Sequence, residues 1–136
     1  MKRILISTAG VLALAVQAQP MADPGRLEFE TSCSGCHGVG AKGDGPVARY
    51  LTRAPSDLTT LSRRNGGVFP SQRIYETIDG RTSTEIGPHG SRDMPIWGRV
   101  YRSLSMEPGA GEASPGTTAR SRMAALMDYL VRIQAN

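Results

Sequence analysis

Apolar positions recur at helical spacing in three parts of the chain. Gly25, Phe29, Cys33 and Cys36 are separated by four, four and three residues, which places them on one helical stripe. Asp23-Pro24 precedes them and reads as a helix start, an acidic N-cap followed by proline at the first helical position. Ile74, Tyr75 and Ile78 mark another helix, opened by Pro70-Ser71 and ended by Gly80. Met123, Leu126, Met127, Leu130 and Ile133 form the stripe of a final helix over Arg120 to Gln134. Asp128 and Arg132 make an i,i+4 pair on another face of it. Shorter helical pieces are expected at Arg49 to Leu51 and from Pro55-Ser56-Asp57 through Leu61. Between these, Gly38 to Pro46 holds four glycines in nine residues and is a loop, and Asn65-Gly66-Gly67 is a turn. Residues 82–92 read as irregular. Residues 105–117, rich in Gly, Pro, Ser and Glu, read as an exposed loop or insertion. No alternating strand pattern and no internal repeat is present. The predicted fold is all-α, three to five helices joined by long loops.

The first residues follow a different pattern. Lys2 and Arg3 precede an apolar run from Ile4 to Val16 that is too short to span a bilayer comfortably. Val16-Gln17-Ala18 then supplies the small residues of a cleavage site. Residues 1–18 are therefore expected to be an export signal, cut after Ala18 or, less suitably, after Ala22. No cysteine follows the site to carry a lipid, and no stable membrane insertion is expected after cleavage. Residues 19–136 then form one small domain, marginal on its own apolar core. The formal charge of +4 shrinks as well. Lys2 and Arg3 leave with the signal, so fourteen basic residues face twelve acidic ones. There is no basic run of the kind that binds nucleic acid. The charge is uneven, with nine Arg against five acids between Gly45 and Arg102, and this basic section can serve as a docking face for an acidic partner.

Both cysteines of the chain lie in Cys33-Ser34-Gly35-Cys36-His37. This is C-x-x-C-H, the attachment signature of a c-type haem. Two thiols three residues apart on a helix reach one edge of a porphyrin, and the adjacent imidazole can ligate its iron. Haem attachment of this kind belongs outside the bacterial cytoplasm, in agreement with the export signal, and the periplasm is the expected location. Three other readings compete. A thiol–disulfide redox site normally sits beside a βαβ pattern, which is lacking here. Zinc on Cys33, Cys36, His37 and His89 would need adjacent Cys and His ligands to chelate one ion. A structural disulfide across C-x-x-C closes only with strain.

The second axial position decides what such an iron does, because an open site binds gases or peroxide and a filled one carries electrons. Met94 is the preferred ligand. It lies in Arg92-Asp93-Met94-Pro95-Ile96-Trp97-Gly98, where Pro95 holds it out of the α region on a stiff loop. Trp97 can cover the haem edge and offer its indole N–H to a propionate. A thioether ligand raises the reduction potential. Met106, in a polar loop, and His89, between Pro88 and Gly90, remain as other choices, while Met123 and Met127 belong to the final helix's packing stripe. Met94 could also be ordinary core filler.

These motifs together resemble the monohaem, class I-type cytochromes c of proteobacteria. The resemblance runs from Gly25 to Gly98 and includes the last helix. Its specific pieces are Cys33 to Gly38, Gly43-Asp44-Gly45-Pro46 and Met94-Pro95-Ile96-Trp97-Gly98. It implies one haem c, bound covalently by Cys33 and Cys36 and ligated by His37 and Met94. It implies that the Pro46 carbonyl accepts the Nδ1 proton of His37. It implies that the first and last helices cross steeply, with Gly25 and Phe29 meeting Tyr129, and that Arg92 and Trp97 lie near the propionates. The chain departs from the pattern at Ala41, where relatives often carry Gly, and in residues 105–117, which exceed what a compact member needs.

The implied function is one-electron transfer in the periplasm between protein partners, a dehydrogenase as donor and an oxidase or reductase as acceptor. On this reading the chain is not itself an enzyme. The alternative is a haem subunit of a larger dehydrogenase or oxidase, which a large exposed apolar patch would favour. A third reading is a haem sensor or enzyme with an open iron site, which requires Met94 to be absent from the iron.

Overall fold

The computed structural model describes residues 22–80, 94–104 and 119–135. The expected signal, His89, Arg92, Met106 and the segments 82–92 and 105–117 lie outside the described residues. Within them the chain is helical, with no strand. None of these helices is long and apolar enough to cross a membrane.

Four helices have eight residues or more: α1 (Pro24–Ser32), α4 (Ser71–Asp79), α5 (Trp97–Leu104) and α6 (Ala119–Arg132). Single α-turns α2 (Ser34–His37) and α3 (Leu61–Arg64) and 3-10 turns at Ala48–Tyr50 and Leu58–Thr60 lie between them. The expected short helix through Leu61 thus starts as a 3-10 turn and runs on to Arg64. Asp57 caps it, its carboxylate accepting from Thr59 N–H at 2.8 Å.

Local chemistry sets most boundaries. Asp23 Oδ1 accepts from the backbone N–H of Gly25 at 3.0 Å and of Arg26 at 3.1 Å, filling two donors that a helix start leaves open. Gly80 ends α4 in the left-handed region at φ 88°, a conformation that costs a side chain about 1–2 kcal/mol. After α2 the chain folds back on the carbonyls that the turn leaves unpaired. Gly43 N–H donates to His37 O at 2.8 Å, Gly45 to Cys36 at 3.1 Å and Val47 to Gly35 at 3.0 Å. Within this loop Ala41 stands at φ 57° with its methyl group buried. That backbone angle is a physical reason for glycine to be favoured there.

The core is formed by Phe29, Ala41, Ile78, Tyr101, Met123, Leu126 and Leu130. Burying each of its larger apolar side chains contributes about 1.5–3 kcal/mol. Its centre is the contact of α1 with α6. A Cβ on Gly25 would overlap the carbonyl oxygen of Ala125 and approach Tyr129 Cβ to 2.8 Å. The Phe29 and Tyr129 rings lie 5.3 Å apart. Gly25 and Phe29 do meet Tyr129, as expected. The chain end is tied to the 58–62 segment: Gln134 Nε2 donates to Leu58 O at 2.8 Å, and Ser62 N–H donates to Gln134 Oε1 at 2.9 Å.

α5 is the element that the apolar pattern did not announce. Trp97, Val100, Tyr101 and Leu104 do stand at helical spacing. Gly98 lets α5 close on the end of α4, where a Cβ would overlap Asp79 Oδ1. Asp79 is 5% exposed there and pairs with Arg102 Nη1 at 3.0 Å.

Candidate functional site

A cavity of about 380 Å³ lies between α1, α4, α6 and the 56–65 segment, within the size range of small-molecule sites. Its apolar wall is Phe29 from α1, Ile74 and Ile78 from α4, Leu126 and Leu130 from α6, and Leu58 and Leu61. Cys33, His37 and Met94 line the same cavity. The structure thus brings together one thiol, the imidazole and the preferred thioether from segments far apart in sequence.

The other expected residues are placed differently. Cys36 is half-buried and does not line the cavity. The stripe through Gly25, Phe29 and Cys33 breaks where α1 ends at Cys33 (φ −118°), and Cys36 belongs to the separate turn α2. Both thiols are free. Burial first, then the Glu28 carboxylate, pushes the Cys33 thiol up to about 12, so it stays protonated at neutral pH. Trp97 packs on Tyr101, ring centroids 6.0 Å apart, and is not part of the cavity wall. Tyr101 is buried against α1. Burial, and next the Glu28 carboxylate, raises its phenol well above the ordinary range.

His37 shows a correction. Its Nδ1 lies 3.0 Å from the carbonyl oxygen of Ser56, in place of the expected Pro46. Pro46 is exposed, held between Gly45 and Val47, whose N–H groups bond to the backbone of α2. The Pro55-Ser56 strap is what reaches the ring, and it packs so closely on Gly43 that a Cβ there would overlap Pro55 O. A carbonyl only accepts, so this contact places the proton on Nδ1 and leaves the Nε2 lone pair free for a ligand.

The cavity also has polar walls that the apolar pattern did not reveal. Arg64, Asn65, Arg73 and Thr77 line it, and among the described residues no Asp or Glu does. Pro70, Arg73, Ile74, Thr77 and Ile78 together follow the spacing of one α4 face. Arg73 was legible only as a polar member of that face. The arrangement is an apolar cavity with an imidazole, a thioether and two arginines among its lining residues. Among the described residues no three of His, Cys, Asp and Glu converge as a cation site, so Cys33, Cys36 and His37 are not gathered as zinc would need.

No family model matches the chain, and no curated protein or solved structure matches it.

Proposed function

We propose that the chain is a periplasmic one-electron carrier built around a single covalently bound haem c. The observation that carries this reading is the meeting of Cys33, His37 and Met94 on one apolar cavity that two arginines and, among the described residues, no acid also line. Cys33, His37 and Met94 line the cavity and suit the group, whereas Cys36 stands outside the wall on the adjoining turn α2. Cys33 and Cys36 would hold the porphyrin, His37 and Met94 would ligate its iron, and the leucine and isoleucine wall would exclude water. The haem supplies an Fe(III)/Fe(II) couple. With His37 and Met94 held by the fold, electron transfer would require little rearrangement. The Ser56 carbonyl fixes the plane of the His37 ring. A thioether from Met94 as the second ligand would favour the reduced iron and raise the potential.

A second reading, a haem subunit of a larger dehydrogenase or oxidase, has one specific observation behind it. Val39, in the loop that follows the cysteine motif, and Tyr50, in the 3-10 turn after it, are 82% and 74% exposed. Co-purification with a larger partner at moderate salt would favour the subunit; salt-sensitive association would favour the carrier.

The test is optical spectroscopy of the protein matured in a periplasm, in both oxidation states, with Met94→Ala alongside. Covalent haem and the weak far-red band of ferric iron–thioether ligation, lost in the variant, are expected. Ready binding of carbon monoxide by the reduced wild type would move the reading to an open-site sensor or enzyme. Absence of covalent haem would end it.

A further inference from the structure

We propose that Arg73 and Arg64 receive the two carboxylates of the porphyrin, with Arg73 the principal holder. The inference rests on the haem reading and goes beyond it by assigning the edge of the cavity. A porphyrin with two propionates has one polar edge, and that edge needs donors where the apolar wall stops. Besides His37 and Ser56, the polar residues lining the cavity are Arg64, Asn65, Arg73 and Thr77. Two of them use their donors within the chain. Asn65 Nδ2 donates to Val68 O at 2.9 Å, and the Thr77 hydroxyl donates to Arg73 O at 2.8 Å.

The guanidinium groups are different. Arg64 Nη2 donates to Asp57 O at 2.6 Å, which uses one of its five N–H donors and leaves the rest of a planar fork. Arg73 forms no hydrogen bond or ion pair with the described residues through its side chain. It is an exposed cation at the cavity wall, and among the described residues no carboxylate lines that wall with it. Trp97, the other residue expected near the propionates, packs on Tyr101 away from the cavity. Arg64 has an added consequence. Its tether, Asp57, adjoins Ser56, whose carbonyl holds His37 Nδ1. A carboxylate seated on Arg64 therefore anchors the same strap that orients the imidazole.

A cation close to the ring disfavours the more positive ferric state, so removing it lowers the reduction potential. Arg73 and Arg64 are positioning residues in this sense: they orient the ring and bias its charge, and take no part in ligating the iron.

The experiment uses the matured, haem-bearing protein. Reduction potentials are measured for wild type, Arg73→Gln, Arg73→Lys and Arg53→Gln, together with redox-difference infrared spectra in the carboxylate region. Arg53 is exposed and outside the cavity wall, so Arg53→Gln removes the same charge elsewhere. The expected result is a lower potential and shifted carboxylate bands in Arg73→Gln, partial return in Arg73→Lys, and no change in Arg53→Gln. Arg64→Gln should also shift the bands, but it loses the Asp57 contact too, so Arg73→Gln is decisive. If covalent haem and the iron–thioether band are intact while Arg73→Gln matches Arg53→Gln in both readouts, the assignment is overturned and the haem reading stands. If wild type carries no covalent haem, the haem reading falls first and takes this assignment with it.

Discussion

His37 Nδ1 and the Ser56 carbonyl oxygen are 3.0 Å apart across nineteen positions of sequence. The contact depends on a chain of close approaches. Gly43 N–H binds His37 O, and Gly43 itself has no room for a side chain against Pro55 O. The loop after α2 and the strap before the 3-10 turn are therefore locked together beside the imidazole.

Gly43→Ala tests this lock. Gly43 sits at φ 84°, where alanine pays about 1–2 kcal/mol for the left-handed backbone. Displacing the strap adds an overpacking cost of about 1–3 kcal/mol. The denaturant midpoint should fall accordingly. In the haem-bearing protein the weakened Nδ1 bond makes His37 a poorer donor, so the reduction potential should rise. Unchanged stability with an unchanged potential would show that the strap is not coupled to the ring.

The junction of α4 and α5 has its own close approach. A Cβ on Gly98 would overlap Asp79 Oδ1 and come within 2.7 Å of Asp79 O. Gly98→Ala should push α5 from the end of α4, loosen the Asp79–Arg102 pair and cost about 1–3 kcal/mol. Met94 lies just before α5 and on the cavity wall. Loss of the far-red iron–thioether band should accompany the lower urea midpoint. A destabilised variant that keeps the band would mean that Met94 is positioned without help from this junction.

What was legible in the sequence was local. Asp23-Pro24 starts α1, Gly80 ends α4 and the Met123 to Ile133 stripe buries α6 because each depends on neighbours a few residues away. The C-x-x-C-H turn and Met94 also carry their own context. The partner of His37 was not legible, since choosing Ser56 over Pro46 requires the path of a whole loop. Arg73 was hidden for another reason. It is a polar residue on a face otherwise read for its apolar members, and only the enclosed cavity shows that the face is a wall. α5 was obscured by Pro95, which made the residues around Trp97 read as a loop presenting Met94 and a haem cover, although Trp97 and Tyr101 are one turn apart on a helix.

Gly25 and Gly40 separate packing from propensity. Gly25 is buried against Ala125 and Tyr129, whereas a Cβ on Gly40 would meet only Lys42 Cγ at 4.0 Å. Gly25→Ala should cost about 1–3 kcal/mol, by forcing α1 from α6. Gly40→Ala should stay within about 0.5 kcal/mol of wild type. Chemical denaturation of the two variants side by side gives the comparison, and equal midpoints would refute the close crossing of α1 and α6.

Asp23 joins the two ends of the domain. Its carboxylate accepts from the first turn of α1, and its Oδ2 lies 2.7 Å from Arg132 Nη2 near the end of α6. The backbone N–H of Arg26 first, and the Arg132 guanidinium next, hold its ionisation below the ordinary 3.8. A carboxyl group more acidic in the folded chain than in the unfolded one stabilises the fold above the unfolded value. That contribution disappears as the pH falls through the folded value. Asn at this position is also a good N-cap, so Asp23→Asn removes the charge while keeping an acceptor for α1. Thermal unfolding should show the variant less stable than wild type at neutral pH, with the gap closing as the pH falls below the ordinary 3.8 and through the lowered folded value. Added salt at neutral pH should narrow the gap too, because the Asp23–Arg132 pair is exposed to solvent. A gap that persists unchanged into acid would assign the effect to cap geometry and remove the charge from the account.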